Sequence, residues 1–309
     1  MCSSDLDRGN SPGKLNKSNK VSMEMGRSRF ATVGLAAAAL CLVQAGGAWA
    51  QGHQEPASEG WILGVEGGLM FSDFTRRSFD PHRLLGEGGV DFGGMGALSI
   101  GRRMQNGLDW KLTGAYGRFM ENHRDVVAGG PAGTSYAAAA TMDFEIGHEW
   151  HLNDGHLRLF GGVRAMRSEE KNRYMETPAV AYDLSGTFHG AGPLVGIEGA
   201  WHLDKAGTFA VVGGFSGSAS FGQRNDTLRE ETVGLPFVRE ARSTFDTVGR
   251  VAGSVGLAVE ISHSSSLTFG YRVEYEINSF SKETTETPWG EGSRNLLTHI
   301  PFLKLETHF

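Results

Sequence analysis

Cysteine is nearly absent: the chain of 309 residues has two, Cys2 and Cys41, and both lie in its first fifty residues. Beyond residue 50 no disulfide framework and no thiolate metal site can form. Long apolar runs are missing as well, since nothing after residue 50 approaches the roughly 20 residues of a membrane helix. An excess of basic residues is missing too. With the first fifty residues set aside, 23 Lys plus Arg stand against 32 Asp plus Glu, a net charge of −9, which excludes a nucleic-acid footprint. No serine-nucleophile motif, metal-ligand spacing or phosphate loop stands out; Gly86-Glu87-Gly88-Gly89 has no helix after it. No enzyme activity, catalytic residue, cofactor or metal is therefore expected. If such a chain enters a membrane, it does so as a closed sheet, because lipid leaves no partner for unpaired backbone groups.

What is present begins with a leader. Lys14, Lys17, Lys20, Arg27 and Arg29 precede an apolar run from Phe30 to about Ala45, and Ala48-Trp49-Ala50 places small residues where a signal peptidase needs them. Residues 1–50 are predicted to be a Sec-type signal peptide cleaved before Gln51, with Met23 or Met25 as alternative starts. Residues 51–59 are expected to be a short periplasmic segment, and 60–309 the folded body.

Glycine is abundant in that body, 39 residues once the leader's six are removed, which suits crowded, strongly twisted strands. Ten segments alternate apolar and polar residues: Trp61–Ser72, Val90–Arg103, Leu108–Phe119, Ala138–Leu152, His156–Met166, Leu184–Leu203, Thr208–Phe221, Val248–Ile261, Leu267–Asn278 and Leu297–Phe309. In the last, Leu297, Pro301, Leu303, Leu305 and Phe309 share a face, while His299, Ile300 and Phe302 interrupt the pattern. Leu303, Leu305 and the terminal Phe309 resemble the C-terminal signal by which bacterial outer-membrane barrels are recognised and inserted.

A soluble sandwich also alternates, so connection lengths decide. The links after segments two, four, six and eight are short, whereas Asp73–Gly89, Glu121–Tyr136, Arg167–Asp183, Gly222–Thr247 and Ser279–Leu296 are long and polar. That asymmetry predicts an all-β, transmembrane, antiparallel up-and-down β-barrel of about ten strands, with tight periplasmic turns and long outer loops. Trp61, Trp110, Trp150, Trp201 and Phe309 then fall near the periplasmic rim, and Phe71, Tyr116 and Phe221 toward the outer one, as two aromatic girdles.

With the apolar face toward lipid, the other lines the lumen. The expected lining comprises Lys111, Asp143, Glu145, Arg158, Arg164, Glu198, Arg250, Glu260, Arg272, Glu274, Glu276, Lys304 and Glu306. Ten strands leave a narrow bore, so these charges form either a salt-bridged plug or a slender path, and excess carboxylate favours cations. Small residues such as Gly162, Gly196, Gly214, Ser216, Ala252 and Ser254 tip the expectation toward a path. Gly190, Gly192 and Gly196 leave one face of the sixth strand bare for curvature or for a close lumenal side chain, and Pro193 interrupts the ladder or marks a bulge. Asp143 and Glu145 with His148 and His151 have the groups of a carboxylate–imidazole hydrolase, but this strand descends and carries both histidines to the periplasmic turn.

Three stretches carry a more specific signal: Met142-Asp143-Phe144-Glu145-Ile146-Gly147, Leu157-Arg158-Leu159-Phe160-Gly161-Gly162-Val163-Arg164, and Phe188-His189-Gly190-Ala191-Gly192-Pro193-Leu194-Val195-Gly196-Ile197-Glu198-Gly199. With Ser266-Leu267-Thr268-Phe269-Gly270-Tyr271-Arg272 following in order, the region from about Gly60 to Phe309 resembles the Legionella-type major outer-membrane protein family of pore-forming barrels. The resemblance implies a porin-like protein of the Gram-negative outer membrane, in some members a surface antigen or adhesin, and brings no catalytic residues. Expected partners are outer-membrane lipid and lipopolysaccharide, the barrel-assembly machinery through the terminal strand, small solutes, and a surface ligand at the long loops.

Overall fold

The computed structural model describes residues 59–72, 91–124, 132–177, 180–232, 238–262, 264–281 and 293–309. The leader, its cleavage site and most of the expected loops lie outside these residues. Ten strands follow in order: β1 (Gly60–Ser72), β2 (Asp91–Arg103), β3 (Leu108–Arg124), β4 (Ala132–Leu152), β5 (Gly155–Thr177), β6 (Val180–His202), β7 (Phe209–Thr232), β8 (Val238–Ser262), β9 (Ser265–Ser281) and β10 (Ser293–His308). Each pairs antiparallel with its sequence neighbours, and β1 pairs with β10, so the sheet closes into an up-and-down barrel. Closure extends to the last residue: the Trp61 amide donates to the Phe309 carbonyl at 2.6 Å, and the Phe309 amide to the Trp61 carbonyl at 3.0 Å.

The stagger follows from the registers. A line drawn across the strands from Glu66 reaches Ala258 of β8 through Lys304 and Thr268. The other way round it passes Ala97, Ala115, Thr141, Met166, Gly190 and Gly222 and reaches Asp246. The two ends differ by twelve residues on one strand, so the barrel has a shear of 12 and a strand tilt of roughly 40°.

Tight turns close one end. Gly107 and Gly207 adopt φ of 80° and 73°, the left-handed conformation that glycine enters without a Cβ clash. Each donates its amide to the residue three before, Met104 and Asp204, at 3.1 Å. The exposed faces are apolar in the middle of every strand, with Leu63, Leu98, Ile146, Val163, Val195, Phe215, Val255, Phe269 and Leu303 outward. Trp61 and Trp110 meet edge to face with centroids 5.9 Å apart at the turn end, and Phe71 meets Phe92 at 5.4 Å toward the other. An apolar belt edged by aromatics is the surface a barrel turns to lipid.

The strands differ from the sequence expectation in length. β3 runs five residues past Phe119, β4 begins six before Ala138, β5 continues to Thr177, β7 to Thr232, and β8 begins at Val238. Most of the supposed loops Arg167–Asp183 and Gly222–Thr247 is therefore paired hairpin, with Lys171 opposite Ser185 and Asp226 opposite Arg242. Above the lipid neither face needs to be apolar, so pairing continues while the hydrophobic alternation that marks a strand disappears. Pro193 makes no bulge. The β6–β7 ladder is interrupted between Ala191 and Leu194 and resumes in the same register, because proline has no amide to donate.

Candidate functional site: the lumen

The inward faces carry the charge, and nearly all of it is paired. Arg158 on β5 is the principal node near the turn end. It binds Asp109 on β3 through Nε and Nη2 at 2.6–3.0 Å, Glu145 on β4 at 3.0 Å and Glu198 on β6 at 2.7 Å. Lys111 stands 3.5 Å from both Glu145 and Glu198. One step outward, Arg164 holds Asp143 in a two-pronged bond of 2.7 and 2.6 Å and donates to Ser218 at 3.1 Å. Across the bore, Arg250 on β8 pairs with Glu274, with Glu276 at 3.9 Å, and Arg272 on β9 pairs with Glu66 at 2.8 Å. At the turn end Lys304 meets Glu306 at 2.5 Å, His308 lies 3.3 Å from Glu306, and Arg103 meets Glu149 at 2.5 Å.

These residues enclose a cavity of about 580 Å³. All the expected lining residues border it except Glu276, which is buried farther out beside Ser279. Ser262, Ser264, Ser265 and Gly207 border it too, so it reaches the turn end of the barrel. Gly214, Ser216, Ala252 and Ser254 make a bare wall on β7 and β8. Arg103 and Arg250 border the cavity, and among the described residues their buried Nε groups find no hydrogen-bond partner; buried donors of this kind are satisfied by water.

Farther out the bore is filled. The tilt of the strands brings Ser72, Phe119, Ala137, Met166, Phe188, Ser220, Val248, Glu276 and Leu296, from nine different strands, to one level, and all are buried. Phe119, Ala137 and Leu296 pack as one cluster with Met70 at its side, and Met166, Phe188 and Val248 as another. Phe188, Val248 and Ile300 are each only 1% exposed. Beyond this septum, Asn278 adopts φ of 64° in a bulge of β9 where the pairing with β10 shifts. Arg224 clasps it, donating to the Asn278 and Ser279 carbonyls and pairing with Asp246 at 2.7 Å, while the Asn278 amide donates to Asn295 at 3.1 Å.

Sequence reasoning missed the lumenal phenylalanines. Ile300 and Phe302 do not interrupt the terminal strand: β10 alternates throughout, with Leu296, Thr298, Ile300, Phe302, Lys304 and Glu306 inward and His299 outward, where its Nδ1 lies 2.7 Å from the Tyr271 hydroxyl. Phe302 lies against Gly270 directly across β9, and Phe160 against Gly196 directly across β6; a Cβ at either glycine would stand 2.3 Å from the ring. Arg272 caps Phe302 at 5.0 Å and Arg158 caps Phe160 at 4.9 Å. Glycine, ring and guanidinium thus stack in order, and the bare face of β6 at Gly196 seats a lumenal ring. A Gly opposite a Phe in neighbouring inward positions was the available signal. The supposed hydrolase group is dispersed, with Asp143 and Glu145 held by arginines and His148 packed on Trp150 at 4.6 Å. Leu303, Leu305 and Phe309 lie exposed on the outer surface.

Residues 134–309 match the family model described as Legionella pneumophila major outer membrane protein precursor. No curated protein matches the chain. Among solved structures, the outer membrane protease OmpT from Escherichia coli is similar at 10% identity over 84% of this chain and 100% of that one, with a TM-score of 0.49. The translocator domain of autotransporter NalP from Neisseria meningitidis is similar at 12% identity over 91% and 97%, with a TM-score of 0.41. A major outer membrane protein from Thermus thermophilus is similar at 12% identity over 82% and 100%, with a TM-score of 0.38.

Proposed function

The chain belongs to the Legionella pneumophila major outer membrane protein family, and we propose that it offers small hydrophilic solutes a narrow, cation-preferring diffusion path across the outer membrane, held closed at rest by its own side chains. The observation that carries this reading is the 580 Å³ polar cavity that opens at the turn end. A barrel that needed only stability would fill this space, since interiors pack to crystal density. Nine carboxylates and seven Lys or Arg side chains border the cavity, and the surplus of negative charge draws cations. The septum of Phe119, Met166, Phe188, Val248 and Leu296 is then the gate.

Single-channel recording in a planar bilayer tests the reading. Stepwise cation-selective openings are expected, with selectivity reduced by Glu274→Gln plus Glu276→Gln, which leaves Arg250 uncompensated. Silence from protein verified as folded and inserted would refute it. The buried septum and the long β5–β8 hairpins favour a second reading in that case, a closed barrel that displays its outer hairpins for adhesion or surface recognition. Exchanging the outer loops would then abolish surface binding.

A further inference from the structure

On the lipid-facing surface, the outward side chains of two strands run apolar toward the outer end until each reaches an arginine. On β3, Leu108, Trp110, Leu112 and Tyr116 lead to Arg118; on β5, Leu157, Leu159, Val163 and Ala165 lead to Arg167. The strand between them offers only methyl groups there. Ala138 of β4 pairs with Arg118 on one side and Glu169 on the other, and Ala140 pairs with Arg167. One pair farther out, Tyr136 stands opposite Lys171, and its ring is flanked by Arg118 at 4.7 Å and Lys171 at 5.9 Å.

Both arginines are exposed, and among the described residues neither meets a carboxylate. Two acids stand nearby: Glu169 engages Lys171 at 2.7 Å, with Lys171 and the nearby Arg167 holding the Glu169 carboxyl below its usual range, and the exposed Asp183 of β6 acts on Lys171 from farther out. Three cations against these two anions leave a net positive flank, and Arg118 and Arg167 lie on its inner side, away from Asp183. Elsewhere at this height β2 and β9 present the exposed Phe92 and Ile277, and β1 the half-buried Phe71. Anchoring cations that merely reach for water would be spread around the barrel; these are gathered across three adjacent strands. They also lie on the side opposite the tight turns, which is the outer leaflet.

We propose that Arg118, Arg167 and Lys171, with Tyr136 between them, form a docking site for the phosphorylated sugar headgroup of an outer-leaflet saccharolipid of the lipid A class. Strands two apart are about 10 Å apart, so the two guanidinium groups reach separate anionic groups of one large headgroup while its acyl chains lie along the apolar belt below. Arginine binds phosphate through paired N–H donors, and the aromatic ring keeps Arg118 and Lys171 in place beforehand. The site is independent of whether the lumen conducts.

Binding of diphosphoryl lipid A, monophosphoryl lipid A and phosphatidylglycerol to the full chain in lipid nanodiscs tests the proposal, with the heat-dependent shift in gel mobility confirming a folded barrel. Diphosphoryl lipid A is expected to bind best, and Arg118→Ala plus Arg167→Ala to weaken it about tenfold or more, the loss of a strong charge-assisted bond. Arg102→Ala, at the turn end, should leave binding unchanged, and Arg118→Lys plus Arg167→Lys should retain part of it. Wild-type affinity in the double alanine variant, or equal binding of phosphatidylglycerol, would overturn the assignment.

Discussion

Replacing Arg158 with Met keeps an unbranched apolar stem and removes the one group that joins Asp109, Glu145 and Glu198. The three carboxylates accept from it at 2.6–3.0 Å, and Arg158, Asp109 and Glu145 are all buried. Bonds to charged groups contribute about 1.5–3 kcal/mol each, but their sum overstates the loss because the intact cluster already carries a desolvation cost. Lys111 stays within 3.5 Å of Glu145 and Glu198, whereas Asp109 loses its one side-chain partner among the described residues. Breaking a buried pair in this way costs about 3–5 kcal/mol, and the residual Lys111 contact places Arg158→Met in the lower half of that range. Urea unfolding in lipid vesicles, followed by tryptophan fluorescence, reads the change. The matched control is Arg102→Met, whose pair with Glu59 at 2.6 Å is solvent-exposed and whose loss should cost under about 1 kcal/mol. Added salt should weaken the control pair and leave the Arg158 effect intact, since buried charges are screened little. If Arg158→Met costs no more than Arg102→Met, the lumenal network is not what holds the wall together.

Gly162→Ala should destabilise the β4–β5 seam strongly, because its Cβ would stand 1.9 Å from the Phe144 carbonyl oxygen, while Gly114→Ala, with open space around it, should be tolerated; urea midpoints compare the two. Deleting Phe309 removes two barrel-closing hydrogen bonds with Trp61 together with the proposed insertion signal, so the amount of protein in the outer-membrane fraction should fall; Phe309→Ala keeps the backbone bonds and isolates the signal. Asp204 accepts from the Phe209 amide at 2.9 Å in a tight turn, which lowers its carboxyl from the ordinary value. Its contribution is complete above the unfolded-state value of about 3.9 and disappears as pH falls through the lower folded value, so Asp204→Asn should flatten the acid end of the stability profile.

The alternation of Leu157, Leu159 and Val163 with Arg158 and Arg164 was legible because a single face of each strand must be dry, and all ten strands could be found that way. Two regions escaped the rule. In the outer hairpins, Arg224, Asp226 and Leu228 face inward on β7 with no apolar face opposing them, so nothing in residues 222–232 distinguishes strand from loop. At Ile300 and Phe302 the reasoning assumed a polar lumen, whereas the bore needs apolar volume wherever a glycine wall or the septum must be filled. The lumenal charges could be assigned to a side from period two alone; which arginine meets which carboxylate depends on the stagger of the barrel, and no single strand encodes that.

The cavity also has a composition in solution terms. Nine acidic and seven basic side chains around 580 Å³ require about two monovalent counter-ions for neutrality, and even one ion in that volume corresponds to roughly 3 M, far above the surrounding fluid. If the cavity conducts as proposed, it is a small ionic reservoir filled from the turn end, whose occupancy would depend only weakly on bulk ionic strength. On that reading dilution outside the cell would leave it filled, and a solute entering it would exchange places with an ion already there.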